Sequence, residues 1–389
     1  MPKYDTIITR YGEIGIKSER TRKRFEKILI KGIHARLRNA RKSYNIRKER
    51  GRIFIDSPHT GRLYPLLDKI FGIVSFSPAI TLSTVELDGV NKGIVDYARN
   101  VIVGGMTFAV RARRTGTHPY TSKDIETVAG KAILEAFDHE ITVNLSKPDI
   151  TIHAEIREKK AYIYHEVVNG PGGLPLTTQG KVVCMLSGGI DSPVASYLIM
   201  KRGSLPVYVY FHSYPYVDES PIKRVIDVVK KMKEYVSGYG MRIYIVPQGN
   251  ILKAIIKRSP RKMLCILCRR SMYRLAEQIA ERERAEAIVT GESLGQKASQ
   301  TLRNLFVETY GMKFPILRPL IGLDKVEIEL IAKKIDTYET SIRPTSCCTA
   351  VPKYPLTSAS LDNVLDVERG IELNHLIEDS LESAEIIDL

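Results

Sequence analysis

The sequence predicts an α/β protein with a C-terminal parallel-sheet domain preceded by two small α+β domains. Three observations predict it. Beyond residue 176, apolar strand-like runs alternate with amphipathic helical runs, as in strand–helix–strand crossovers. Before residue 170 the runs are shorter and mixed, with alternating strands around single helices. Between them, Asn169-Gly170-Pro171-Gly172-Gly173-Leu174-Pro175 is dense in Gly and Pro and marks a boundary. The expected domains are 1–65, 66–170 and 176–389. A chain of 389 residues, 43% hydrophobic and 26% charged, is long enough for several domains and is not largely disordered.

In the first block, Tyr4–Thr9 reads as a strand leading into Arg10-Tyr11-Gly12-Glu13-Ile14. A helix is expected over Glu19–Arg38, where Phe25, Ile28, Leu29 and Ile33 fall at helical spacing with Arg and Lys between them. Short strands are expected at Tyr44–Arg47 and Arg52–Ile55. In the second block, Thr107–Arg113 alternates, with Phe108, Val110 and Ala112 on one face. Ile150–Ile156 alternates as well, and Ala161–Val167 continues as a strand. A helix through Val128 and Ile133 starts at Ser122, its expected cap. Arg111, Arg113 and Arg114 stand by the loop Thr115-Gly116-Thr117-His118-Pro119, either as a phosphate-binding edge or as a solvated basic loop.

The third block opens with a buried strand, Lys181–Leu186, and a helix, Pro193–Arg202, closed by Gly203. Leu205–Phe211, Met241–Val246 and Ala287–Thr290 are further strands. A helix opens at Ser220-Pro221, with Ser as cap and Pro at the first position, and ends at Gly238.

Charge adds a first functional clue. The net is +15, but residues 1–60 carry 17 basic and 6 acidic side chains, and residues 361–389 carry 1 and 9. A basic head suits a polyphosphate partner such as nucleic acid, because each Lys or Arg that meets a phosphate releases counterions. The alternative is a solvated basic surface. No segment is apolar enough to span a bilayer and the first residues have no signal core, so no membrane partner and a cytoplasmic location are expected. Five cysteines in a chain this long read as reduced intracellular thiols.

Between the first strand and helix of the third block sits Ser187-Gly188-Gly189-Ile190-Asp191-Ser192. Ligands of open parallel sheets bind beyond the carboxyl ends of the strands. Two glycines let successive N–H groups turn into one concavity, the helix adds its positive end, and Ser187 and Ser192 add hydroxyls. This makes an anion cradle suited to pyrophosphate. It lacks the Gly-Lys-Ser/Thr of a Walker loop and the third glycine of a dinucleotide fingerprint. It resembles the PP-loop of the ATP pyrophosphatases, which implies an adenine nucleotide alpha hydrolase-like fold and cleavage of ATP to AMP and pyrophosphate. Asp191 either caps the helix or, as the resemblance favours, holds Mg²⁺ against the phosphates.

Two further strings sharpen the match. Thr290-Gly291-Glu292-Ser293-Leu294-Gly295-Gln296-Lys297-Ala298-Ser299-Gln300-Thr301 follows a strand, and Arg318-Pro319-Leu320-Ile321-Gly322-Leu323-Asp324-Lys325-Val326-Glu327 precedes a helix. With the Ser187–Ser192 turn they resemble the tRNA 4-thiouridine synthetase (ThiI) family. Arg10-Tyr11-Gly12-Glu13 is similar to the start of that family's ferredoxin-like domain. Phe108 to Gly130 and Lys147-Pro148-Asp149 are similar to its RNA-binding THUMP domain. The resemblance implies that ATP adenylates O4 of uridine 8 in tRNA and that a persulfide sulfur displaces AMP. It implies ATP contacts at Met185, Leu186, Ser187, Gly188, Gly189, Asp191, Ser192, Tyr210, Phe211, Arg269, Gly291 and Gln300. Lys325 is a candidate for stabilising charge on the transferring phosphoryl group; its alternative is a solvated residue in a first helical turn, where a cation is unfavourable.

Cys265 and Cys268 are spaced to share one helix face, Cys347 and Cys348 are adjacent, and Cys184 reads as a buried apolar residue. The two pairs could bind zinc, hold an iron–sulfur cluster or relay sulfur. Arg269 and Arg270 are expected to lower the thiol pKa values. The family resemblance places the catalytic cysteine at Cys348, with Cys347 a neighbour, and implies a cluster on Cys265, Cys268 and Cys348 that leaves one position for an external sulfur. Some members of the family carry a C-terminal rhodanese domain, whereas here an acidic helical tail follows Cys348. The sulfur donor is then expected to be a cysteine desulfurase persulfide or sulfide. A short acceptor helix reaching two separated domains is compatible with a homodimer. Two other readings are a PP-loop adenylating enzyme acting on a small molecule and a non-catalytic RNA-binding protein. The basic head argues against the first and the intact Ser187–Ser192 turn against the second.

Overall fold

The structure is a computed structural model and describes residues 2–297, 299–346 and 348–389. It divides into two compact units, Met1–Gly173 and Leu174–Leu389. Among the described residues no helix is long and apolar enough to cross a membrane.

The first unit runs β1 (Thr6–Arg10), α1 (Glu19–Arg38), β2 (Asn45–Glu49), β3 (Arg52–Asp56), α2 (Thr60–Leu63), β4 (Ser75–Leu82), α3 (Leu87–Ala98), β5 (Thr107–Arg114), α4 (Ser122–Ala136), β6 (Thr142–Val143), β7 (Ile150–Ile156), β8 (Ala161–Tyr164) and β9 (Val168–Asn169). Its strands join in the order β2-β3-β1-β4-β8-β7-β5-β6, with β9 on β4. Helix α1 matches its expected span and buries Phe25, Leu29, Ile33 and Leu37, while Ile28 is half-buried. Tyr11 donates to the buried carboxylate of Glu26 at 2.5 Å, and Lys48 reaches the same group at 3.0 Å. The Arg10-Tyr11-Gly12-Glu13 string therefore locks α1 onto the end of β1.

Strand β4 is absent from the sequence reading because Pro78 lies inside it, and a proline argues against a central strand. Helix α4 begins at Ser122, but its cap is Thr121, not Ser122. The Thr121 hydroxyl accepts from the Asp124 N–H, and the Asp124 carboxylate accepts from the Thr121 N–H.

The second unit runs β10 (Lys181–Leu186), α5 (Asp191–Lys201), β11 (Leu205–His212), α6 (Ser220–Lys233), β12 (Arg242–Pro247), α7 (Gly249–Arg258), α8 (Leu264–Glu283), β13 (Ala287–Val289), α9 (Leu302–Thr309), β14 (Ile316–Leu317), α10 (Lys325–Lys334), α11 (Tyr338–Ser341), α12 (Leu361–Arg369), α13 (Leu373–Glu382) and β15 (Glu385–Asp388). Strand order is β14-β13-β10-β11-β12-β15. The four pairings from β14 to β12 are as expected for a parallel sheet, since all of them are parallel. Strand β15 departs from the all-parallel expectation and pairs antiparallel with β12, fastened where Arg242 meets Asp388 at 2.8 Å and Glu283 at 2.7 Å. Ser220 is the first residue of α6 rather than its cap, and the helix ends at Lys233, before Gly238.

From β10 the chain moves outward through β11 and β12, then returns to β13 on the other side of β10. The carboxyl ends of β10 and β13 therefore border a switch point, where open α/β sheets form their ligand crevice.

Thr121→Ala is expected to remove about 1 kcal/mol of stability through loss of the α4 cap. A urea titration should show a lower midpoint with an unchanged slope; an unmoved midpoint would contradict the capping role.

Candidate active site

The Ser187–Ser192 turn joins β10 to α5 at the switch point. Gly188 has φ +72°, which a side chain would strain. The Ser192 hydroxyl accepts from the Ser187 N–H at 3.1 Å and so shapes the turn. Among the described residues the N–H groups of Gly188 and Ile190 have no protein acceptor. Gly291, just beyond β13, lies against the start of α5: a Cβ there would sit 2.7 Å from the Ser192 backbone N. Only glycine lets the two loops meet across the crevice.

Asp191 is the first residue of α5 and does not cap it. Its Oδ1 accepts from Lys325 Nζ at 2.9 Å, and its Oδ2 accepts from Gln296 Nε2 at 3.3 Å. Lys325 is the first residue of α10, whose cap is Asp324 boxed with Glu327. The cation that a first turn disfavours is thus held by a partner from another helix. The loops carrying Gly291 and Lys325 are tied together where the Ser293 hydroxyl donates to the Leu323 carbonyl at 2.9 Å. Gln300 is buried, and the side-chain oxygens of Gln296 and Gln300 lack partners among the described residues. Such buried orphans suit a polar ligand.

Leu186 ends β10 and is buried, and Met185 is half-buried beside it. Tyr210 and Phe211, near the end of β11, are buried. Burial pushes the Tyr210 phenol up to about 12, with the Arg224 charge pulling the other way. Arg224 and Gln296 were missed at the sequence level. Gln296 lay inside a quoted motif, whereas Arg224 is one basic residue among several on α6.

Behind these loops is a buried ionic cluster. The Glu292 carboxylate, 2% exposed, accepts from Arg269, from Arg318 Nε at 2.7 Å, from the Tyr273 hydroxyl at 2.9 Å and from the Thr290 hydroxyl at 2.9 Å. Arg269 also reaches Glu308 at 3.4 Å. Glu308 is fully buried, and its Oε1 has no partner among the described residues. Burial pushes the Glu308 carboxyl up to about 8, against the pull of Arg269.

Cys265 and Cys268 lie in the first turns of α8, and Cys348 packs half-buried against the same core. Cys347 lies outside the described residues. Cys184 is buried in β10. The buried Gln248 side chain donates to Cys268 Sγ at 3.4 Å. Arg269 pulls both thiols down as expected, but burial outweighs it, and Arg270 is not among the charges that act on them. Burial pushes Cys268 up to about 12 and raises Cys265, with Cys348 adding to both. Arg269 is neutralised by Glu292 and Glu308, and Arg270 turns away to Glu368 at 2.8 Å and to the Val307 carbonyl at 2.5 Å. Among the described residues no three His, Cys, Asp or Glu side chains are drawn together closely enough to hold a metal ion. Thiols are soft donors of the kind that ligate iron–sulfur clusters.

In the first unit, Arg111 and Arg114 donate to the carbonyls of Leu145 at 2.5 Å and Gly116 at 3.2 Å, and Arg111 and Arg113 are exposed. The exposed residues of α1 are rich in Lys and Arg.

A parallel sheet with a glycine turn opening α5 at its switch point, and a second glycine loop across the crevice, defines the second unit as a PP-loop nucleotide-binding domain. Comparison with known proteins narrows this. Residues 177–373 match the family described as thiamine biosynthesis protein (ThiI), residues 6–77 the ThiI ferredoxin-like domain and residues 86–166 the THUMP domain. The chain is 43% identical over 377 residues to a probable tRNA sulfurtransferase of Methanothermobacter thermautotrophicus, covering 95% of this chain and 94% of that one. It is 40% identical to another from Methanosarcina mazei, covering 99% and 96%. A crystal structure of a 4-thiouridine synthetase–RNA complex with bound ATP superposes with a TM-score of 0.88 at 35% identity, covering 99% of this chain and all of that one. The chain belongs to the ThiI family.

The Glu308 carboxyl makes stability depend on pH. Its folded pKa of about 8 lies above the ordinary 4.5, so between these values the folded state holds a proton that the unfolded state has released. Stability is therefore lost as pH rises from the lower value to the higher. Glu308→Gln removes this loss, so its urea-derived stability relative to the parent should climb from pH 5 to pH 8 by a few kcal/mol, on the order of the shift. A difference that stays flat with pH would contradict the assignment.

Proposed function

We propose that this protein is an ATP-dependent tRNA sulfurtransferase that adenylates O4 of uridine 8 and inserts sulfur to give 4-thiouridine, releasing AMP and pyrophosphate. One observation carries the reading: the Gly291 loop, which lies against the phosphate turn at Ser192, and the cysteine-bearing helix α8 share one buried carboxylate, Glu292. Its relatives named as tRNA sulfurtransferases, and the RNA- and ATP-bound synthetase, support it.

In this reading the turn from Ser187 to Ser192, with Met185, Leu186, Tyr210, Phe211, Arg269, Gly291 and Gln300, binds ATP. Asp191 holds Mg²⁺ on the phosphates, and Lys325 stabilises charge as uridine O4 attacks the α-phosphorus and pyrophosphate leaves. Asp191 and Lys325 pair at 2.9 Å, so the residue that would hold the metal and the residue that would meet the phosphate stand side by side. The terminal sulfur of a persulfide then attacks C4, and AMP leaves with the oxygen. A second thiol attacks the inner sulfur, breaking the S–S bond to leave 4-thiouridine and a disulfide, whereas hydrosulfide attacks C4 directly and loses its proton.

Cys348 carries the sulfur chemistry, with Cys265 and Cys268. All three would hold an iron–sulfur cluster, which when bound supplies a site for an external sulfur. Burial keeps Cys268 protonated at neutral pH, so thiolate ligation there needs an electrophile such as a metal to displace the proton. The donor is a cysteine desulfurase persulfide or sulfide.

Residues 1–65 and 66–170 form the ferredoxin-like and THUMP domains that hold tRNA through their basic surfaces, and residues 176–389 carry the chemistry. The cytoplasm is the compartment, and a homodimer is the assembly to look for.

Asp191→Ala should lower both AMP release and 4-thiouridine, counted by mass spectrometry of digested tRNA, on the order of a hundredfold or more. Unchanged turnover would remove Asp191 from the mechanism. Anaerobically purified protein should contain iron and acid-labile sulfide that are lost in the Cys265→Ser, Cys268→Ser double variant. A parent chain with neither, still active through Cys348, would replace the cluster by a cysteine relay.

A further inference from the structure

We infer that Arg224 binds the phosphates of the nucleotide held at the Ser187–Ser192 turn and, through the carbonyl of Arg343, fixes the segment that carries Cys348. The inference rests on the sulfurtransferase reading and adds to it a residue that joins its two half-reactions.

Arg224 lies in the second turn of α6 with its guanidinium beside the phosphate turn. A Cβ on Gly188 would lie 3.1 Å from both Nε and Nη2 of Arg224. The Nε–H is buried and has no acceptor, and no carboxylate pairs with this arginine among the described residues. Leaving a buried donor unpaired is costly, so an acceptor is to be expected. The Nε–Nη2 edge of a guanidinium is a planar fork that matches two oxygens of a phosphate. Here that edge meets a turn whose glycine leaves space and whose free N–H groups call for an anion. A nucleoside triphosphate or its pyrophosphate product fits both.

The other side of the same guanidinium is occupied. Arg224 Nη1 donates to the Arg343 carbonyl at 2.6 Å. Arg343 in turn reaches Asp227, one turn along α6, at 3.2 Å. The segment continues along the loop before α6. The Ser346 hydroxyl accepts from the Asp218 N–H at 3.3 Å, and the Thr349 N–H donates to the Tyr216 carbonyl at 3.1 Å. Cys348 lies between these last two anchors. Phosphate on the free edge of Arg224 would fix the guanidinium, and with it the Arg343 carbonyl at the start of the stretch that leads to Cys348. Nucleotide occupancy thereby reaches the cysteine before any sulfur moves. No bond is made or broken by Arg224; it binds and positions.

The test uses the full chain with Arg224→Ala and Arg224→Lys. Affinity for ATP and for pyrophosphate is read by calorimetry, and the rate of iodoacetamide alkylation at Cys348 is read by mass spectrometry with and without ATP. Arg224→Ala should weaken both ligands by about tenfold to a hundredfold and abolish the ATP-dependent change in alkylation seen in the parent. Added methylguanidinium should restore part of the affinity, which a merely structural role would not allow. Arg224→Lys keeps the charge without the fork and should fall between the two, guarding against a fold defect in the alanine variant. Unchanged affinity in both variants would overturn the inference. Weakened affinity with the alkylation response intact would overturn the coupling. A parent chain that binds no ATP would instead refute the sulfurtransferase reading, whereas a parent that thiolates tRNA beside an unaffected Arg224→Ala would refute only this inference.

Discussion

The Glu292 carboxylate is the point on which the second unit's chemistry turns. It accepts hydrogen bonds from four side chains: Arg269 on α8, Tyr273 one turn further, Thr290 at the mouth of β13, and Arg318 just past β14. Those elements carry the cysteines, the Gly291 loop and the approach to Lys325. A fully desolvated carboxylate tolerates little displacement once its donors are in place, because each lost partner leaves a buried group unpaired. The Gly291 loop and the cysteine helix are therefore held in one frame, and the loop in turn meets the phosphate turn at Ser192.

This cluster is arranged for geometry more than for stability. Buried ion pairs often give no net gain over apolar packing, but breaking one strands a charge. Here two arginines face two glutamates, and Glu308 is left with an oxygen that nothing satisfies and a carboxyl that burial pushes up to about 8. An apolar core would avoid that cost. What the polar cluster provides is a fixed direction for α8, so that Cys265 and Cys268 face Cys348 rather than solvent.

Local chemistry was legible in the sequence. The Ser187–Ser192 turn, the Gly291 loop and helix α1 each follow from residues close together in the chain, and the structure forms them where they were expected. Features decided by distant partners were not legible. Strand β4 contains Pro78 and takes its place from β1 and β8 on either side. Strand β15 is a short acidic run that becomes a strand only against β12. The net upward shift of the thiols was not legible because the burial that outweighs Arg269, and the carboxylates Glu292, Glu308 and Glu368 that pair with Arg269 and Arg270, come from remote parts of the chain. The Thr121 cap was displaced by one residue because Thr and Ser, adjacent, satisfy the same rule, and the Asp124 box decides between them.

The central claim is that the glycine turn beyond β10 grips the diphosphate of ATP. A crystal of the full chain soaked with a non-hydrolysable ATP analogue tests it directly. The account predicts the β- and γ-phosphates against the backbone N–H groups from Gly188 to Asp191, with Gly291 across the crevice. A nucleotide seated instead in the 980 Å³ cavity lined by Lys253, Lys257 and Arg274, with the turn left empty, would contradict it.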